Sequence, residues 1–256
     1  MYYDNLLNLG AEVGRILMHS GAEIYRVEES VNRLLTAYGL EPQVFATPSC
    51  LIVSITTPVG RPITKMWRIT STDFNVELLE RCNDLCRRLC TETPDVDRAM
   101  DQVQALVPAC PQYPPWLTVL AYAITSAFFA LFFGGQFRDF LCAFLCGTAV
   151  GVLLVNGTPF VGSNTFLHIF VCSAVVSGLA LLLVYFSLGV SADKITIGTL
   201  MVLVPGKALT TAMREIMAGD IFSGLNRTAE VILVATAIAL GTGLPLVIAH
   251  GIPGGV

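Results

Sequence analysis

Charge is scarce in this 256-residue chain, where Asp, Glu, Lys and Arg make up only 13%. An ordinary soluble domain carries roughly 25%. The scarcity is uneven. Residues 1–116 hold 10 of the 15 Lys and Arg and 14 of the 19 Asp and Glu, which leaves five of each sign for residues 117–256. Two domains in two different solvents are the simplest account. Histidine is scarcer still, with His19, His168 and His250 far apart. With no paired histidine, neither a His-based metal site nor a nucleophile-and-base pair can be assembled from the sequence, and no cofactor or catalytic residue is read. No GxxxxGKS or GxxxxGKT loop occurs, so ATP-driven pumping by this chain is not expected. A secretory signal is missing too: acidic residues come early and the first apolar runs are short. The amino terminus is expected in the cytoplasm, and the eight cysteines suit a reducing compartment.

What is present begins with two helical patterns, Asn5–His19 and Ala22–Tyr38, punctuated by Gly21 and Gly39. QVFATPS, CLIVSITTP and PITKMWRIT are β-branched and broken by Pro and Gly, and they predict three short strands. Phe74–Cys90, led by Thr72-Asp73 as a cap, and Val96–Leu106 predict two further helices. Cys82, Cys86 and Cys90 recur every four residues, which places them on one helix face with Leu78, Leu85 and Leu89 as a buried stripe. In GAEIYRVEES, Glu23, Arg26, Glu28 and Glu29 crowd one helix. They form either a solvated ion-paired face or a carboxylate or docking site.

PACPQYPPWL (Pro108 to Leu117) holds four prolines and reads as a stiff connector reaching a membrane interface. Five apolar stretches follow: Trp116–Phe133, Phe140–Val155, Thr165–Leu188, Ile195–Met213 and Ala229–Ile248. Each approaches the ~20 residues that cross a ~30 Å hydrocarbon core. Arg138-Asp139 is either a gate or an interfacial ion pair. His168 is either a hydrogen-bonded buried histidine or a proton relay.

LVPGKALTTAMREIMAGD lies inside and after the fourth stretch. Pro205 and Gly206 predict a helix interruption, and a restarting half-helix would aim its positive dipole end at an anion. Lys207, Thr211 and Arg214 share one face of that half-helix. They line a polar pathway, or the charges simply snorkel to headgroups. Asp220, Ser223, Gly224, Asn226 and Arg227 read as a polar loop or re-entrant segment before the last span.

GAEIYRVEES, VPGKALTTAMREIMAGDIFSGL and the order of soluble domain, Pro-rich link and spans together resemble the threonine/serine exporter (ThrE) family. Single-chain members are longer, with about ten spans. Ending after five at HGIPGGV, this chain is similar to the split form, in which a separate small membrane subunit supplies the second half. The resemblance implies a secondary exporter of threonine and serine, or of succinate-like dicarboxylates as in the split form. It points to Gly21, Ala22, Glu23, Arg26, Val27 and Glu28 in the first motif, and to Pro205, Gly206, Gly219, Asp220, Ser223 and Gly224 in the second. Lys207 rests on its spacing alone. The family's soluble domain has been likened to hydrolases, but no catalytic constellation is found in it.

The expectation is thus an α+β cytoplasmic domain (1–107), a Pro-rich linker (108–116) and an all-α transmembrane bundle of about five helices (117–256) in the cell membrane. The partners are a small membrane subunit, lipid and a small solute, and not nucleic acid; self-association stays open. The competing classes are a membrane enzyme or a sensor with its site in the soluble domain.

Overall fold

The computed structural model describes residues 2–57, 59–70, 72, 74–156 and 164–251. Ten helices and three strands are found among them. The chain packs as two units, one of Met1–Pro111 with Leu209–Thr228, the other of Gln112–Ala208 with Ala229–Val256.

The first unit opens with α1 (Tyr2–His19) and α2 (Ile24–Ala37). Apolar residues recur with helical spacing in both, and Leu6, Leu9, Val13, Ile16, Val27, Val31 and Leu34 are all fully buried. Three antiparallel strands follow in the order β1 (Pro42–Thr47), β2 (Cys50–Thr56) and β3 (Pro62–Arg68). The inward Leu51, Val53 and Ile55 of β2 meet the helices, as the period-two pattern requires. α3 (Val76–Glu92) and α4 (Val96–Ala109) complete this part. Asn75, whose side chain accepts from the Leu78 N–H at 3.0 Å, caps α3. The expected cap residue Asp73 lies outside the described residues. Cys82 and Cys86 are buried in the core, and burial pushes both thiols up to about 12.

The second unit contains α5 (Pro115–Phe132), α6 (Phe137–Asn156), α7 (Thr165–Tyr185) and α8 (Ala192–Leu200). Pro115 starts α5, where a missing N–H costs nothing. Ala123, Ser126, Ala127 and Ala130 form the buried stripe of α5, and small side chains there let helices approach closely. The carboxylate of Asp139 accepts backbone N–H groups of Gln136 (2.9 Å), Val190 (2.7 Å) and Ser191 (3.0 Å). It staples the start of α6 to the turn before α8, and no ion pair with Arg138 is found among the described residues. His168 Nε2 lies 3.0 Å from the carbonyl oxygen of Leu153, within hydrogen-bond distance.

The fold expectation needs correction in two respects. Four described helices, not five, are long and apolar enough to cross a membrane: Pro115–Phe132, Phe137–Asn156, Thr165–Tyr185 and Ile221–Ala249. The expected span Ile195–Met213 is cut into α8, of 9 residues, and α9 (Gly206–Met217), of 12. At ~1.5 Å per residue neither piece bridges ~30 Å. Pro205 cannot donate to the helical ladder, and its ring disfavours helical backbone at Val204. The second correction concerns the α+β part. It is not a separate domain that precedes a bundle, since residues 209–228 belong to its unit and its sheet is only three short strands.

The expected polar loop before the last span is also largely absent. α10 (Ile221–Gly251) begins two residues after Gly219. Asp220 caps it, its side chain accepting from the Ser223 N–H at 3.1 Å.

Candidate functional site

Two turns of the same kind build this site within the first unit. At the end of α1, Gly21 adopts φ +80°, its N–H donates to Met18, and the Ala22 N–H donates to Leu17. At the end of α9, Gly219 adopts φ +94°, its N–H donates to Ile216, and the Asp220 N–H donates to Glu215. Both are left-handed glycine closures that satisfy the last carbonyls of a helix and let the chain reverse into the next one. An acidic residue then precedes each new helix, Glu23 before α2 and Asp220 before α10.

The segments on either side of these turns clasp each other. Glu215 is completely buried, and its two carboxylate oxygens accept from Arg227 Nε at 3.0 and 3.1 Å. The same carboxylate accepts the Ile24 N–H at 3.3 Å, and Arg227 Nη2 donates to the Ala22 carbonyl at 3.3 Å. Ile24 is the first residue of α2, so its N–H has no partner inside that helix. Glu215 supplies one. Between the two gripped backbone groups stands Glu23, whose Oε1 accepts from Arg214 Nη1 at 3.1 Å and whose Oε2 lies 3.6 Å from Arg26 Nη1. Three consecutive residues, Ala22, Glu23 and Ile24, are thus held by Arg227, Arg214 and Glu215 in turn.

The carboxylates differ in electrostatic setting. Burial pushes Glu23 upward, but its own backbone N–H, the Arg214 bond and the charges of Arg26 and Arg214 outweigh that, leaving it below the ordinary value. Burial holds Glu215 above the ordinary value against the opposing pull of Arg227 and the Ile24 N–H, with the charge of Asp220 adding to the rise. Burial also raises Glu28, helped by Asp220, while the Ala46 N–H donated to it at 2.7 Å works the other way.

The expected site residues are only partly brought together. Glu23, Arg26 and Arg214 meet. Thr211 is buried on the same face of α9 as Ala212 and Glu215, whereas Lys207 is exposed and lies in the other unit. Pro205 is half-buried, and Gly206 is exposed at the start of α9. Gly224 is buried against α9. Ser223 is buried too, and its hydroxyl has no hydrogen-bond partner among the described residues. The sequence reading missed the roles of Glu215 and Arg227. A signal existed: Glu215 follows Thr211 by four residues, and so had to share its face. Among the described residues no group of three or more His, Cys, Asp or Glu is placed to hold a metal.

Comparison with known proteins covers nearly the whole chain. The family model described as "Putative threonine/serine exporter" matches residues 8–249. A "Probable succinate transporter subunit YjjP" of Klebsiella aerogenes is 27% identical over 88% of this chain and 86% of its own length. "Pheromone-regulated membrane protein 10" of Pichia sorbitophila is 26% identical over 89% of this chain, and that of Saccharomyces cerevisiae is 23% identical over 89%. The chain spans 23% and 30% of those two fungal relatives. No solved structure matches significantly.

Proposed function

We propose, from the premise that this chain belongs to the threonine/serine exporter family, that it is one subunit of a secondary membrane exporter for small hydrophilic solutes. The solutes are threonine and serine or, as the name of the Klebsiella relative suggests, a dicarboxylate such as succinate. That relative is named a subunit, which supports a separate small membrane protein as the partner. The membrane is the cell membrane, with the amino terminus in the cytoplasm.

The observation that carries this reading is the clasp on Ala22-Glu23-Ile24, made by residues that follow the helix break at Pro205. A chain that only anchored a soluble domain would have no need to interrupt an apolar helix and then bury an arginine–carboxylate pair beyond it. Burying such a pair is costly unless it is fully hydrogen-bonded, and it is retained more readily where it specifies or switches a state. We assign the break and the residues after it (Pro205, Gly206, Lys207, Thr211, Arg214, Asp220, Ser223 and Gly224) to the solute path and its control. Glu23, Arg26 and Glu28 form the opposing face of the control element. Opening then consists of Arg214 exchanging Glu23 for solute or water, while the Glu215–Arg227 pair stays closed as the pivot.

Efflux of labelled threonine, serine and succinate from exporter-deficient cells, with and without the small membrane partner, tests the proposal. Faster loss of at least one solute only when both proteins are present is the expected result. No change for any of the three defeats the exporter reading. Unchanged efflux in both Arg214→Ala and Asp220→Ala defeats the assignment of the path.

A further inference from the structure

α2 also carries an arrangement that overlaps the clasp only at Arg26. Arg26, Ser30 and Arg33 recur at helical spacing on α2, and Asn83, Cys86 and Arg87 do so on α3. Together they line one groove between these helices. Its floor is closed by the thiol of Cys86, which donates to the Ser30 carbonyl at 3.6 Å. Three guanidinium groups stand around it, with side-chain exposures of 50% for Arg26, 65% for Arg33 and 71% for Arg87. Each has a carboxylate neighbour close in sequence: Glu23, which precedes α2, for Arg26, Glu29 for Arg33 and Asp84 for Arg87. Of these, only Glu29 lines the groove. Three arginines and one carboxylate thus line it, beside an amide and a hydroxyl, while Glu23 and Asp84 pair Arg26 and Arg87 from outside the lining.

We infer that this groove is a binding site for a small dianion, a dicarboxylate or inorganic phosphate. Guanidinium forks match carboxylate and phosphate oxygens two at a time, and a compact dianion can engage arginines from both helices at once. The lining has no aromatic side chain on which a nucleoside base could stack, and no apolar wall for an acyl chain. A monoanion would meet one guanidinium and leave the others as they are. The site stands on the geometry of α2 and α3 and does not depend on the exporter reading. Arg26 is the one residue shared with the clasp.

Thermal unfolding of the purified full chain in detergent, at constant ionic strength, tests the site. Succinate and inorganic phosphate are titrated separately, with acetate as the monoanion. A saturable rise in melting temperature with either dianion and none with acetate is expected; the tighter of the two identifies the ligand class. Arg33→Gln with Arg87→Gln should weaken that binding at least tenfold, and Asn83→Asp should weaken it severalfold. Arg61→Gln, exposed and not among the residues that line the groove, should leave it unchanged. The site is overturned if neither dianion gives a saturable rise, if acetate matches them, or if the Arg33/Arg87 and Asn83 variants bind as the parent does.

Discussion

The guanidinium of Arg214 donates to the carboxylate of Glu23 at 3.1 Å, joining positions 191 residues apart in the chain. Arg214 stands in the last turn of α9, the helix that follows the interruption at Pro205, and Glu23 just beyond the glycine closure at Gly21. Because the Arg214 side chain is 66% exposed, water screens the pair. A double-mutant cycle of Glu23→Gln and Arg214→Gln, read by thermal unfolding, should give a coupling of about 0.5–1 kcal/mol. Strict additivity would mean that the two do not interact in solution.

The buried partner pair behaves differently. Removing Arg227 leaves the enclosed Glu215 charge with only the Ile24 N–H, and breaking a buried pair costs about 3–5 kcal/mol. Arg227→Gln should therefore sharply lower the melting temperature and the yield. Adding Glu215→Gln should recover a substantial part of the loss, since the double variant buries no charge. If the double variant is less stable than Arg227→Gln alone, this account of the pair is wrong.

Proton linkage separates Glu28 from Glu23. The folded state raises Glu28 above its ordinary 4.5, so folding favours the protonated form. Its stabilising contribution is complete below pH 4.5 and is lost as pH rises through the folded value. Glu28→Gln, which can still accept from the Ala46 N–H, should lose less melting temperature than the parent between pH 4.5 and 7. Glu23 has the opposite sign. Depressed in the fold, it contributes stability above its ordinary 4.5 that disappears as pH falls through the folded value. Glu23→Gln should flatten the acid limb below that pH. Identical pH profiles for parent and variants would contradict both assignments.

Gly224 and Gly206 make a contrasting pair. A Cβ at Gly224 would lie 2.4 Å from Ile216 Cγ1 and 2.9 Å from the Ala212 carbonyl oxygen, so α9 and α10 can touch there only over a bare backbone. Gly224→Val should destabilise by about 1–3 kcal/mol through overpacking. A Cβ at Gly206 meets nothing within 4 Å, and Gly206→Ala should leave the melting temperature unchanged or slightly higher. Thermal unfolding of the two variants side by side checks the difference.

Local pattern was enough for much of the first unit. The helical spacing of α1 to α4, the alternation in Leu51, Val53 and Ile55, and the cysteine stripe of α3 all follow from periodicity, because each element buries one face. The break at Pro205 was legible for a covalent reason, the absent amide hydrogen. Hydropathy could not show that this break removes a span, since an average over Ile195–Met213 cannot register a turn within it. The polar run Asp220–Arg227 was misleading in the same way. The run is helical from Ile221, with Asp220 as its cap.

The amino-acid sequence alone determined which segments are apolar, where helices begin and stop, and which two motifs carry the likeness to exporters. Only the tertiary structure decided that those motifs meet, that Glu215 lies wholly enclosed with Arg227, and that residues 209–228 pack in the unit of the first hundred. The physical reason is range. Caps, breaks and periodicity act over a few residues and are written locally, whereas an ion pair across 191 residues depends on how two turns approach in space.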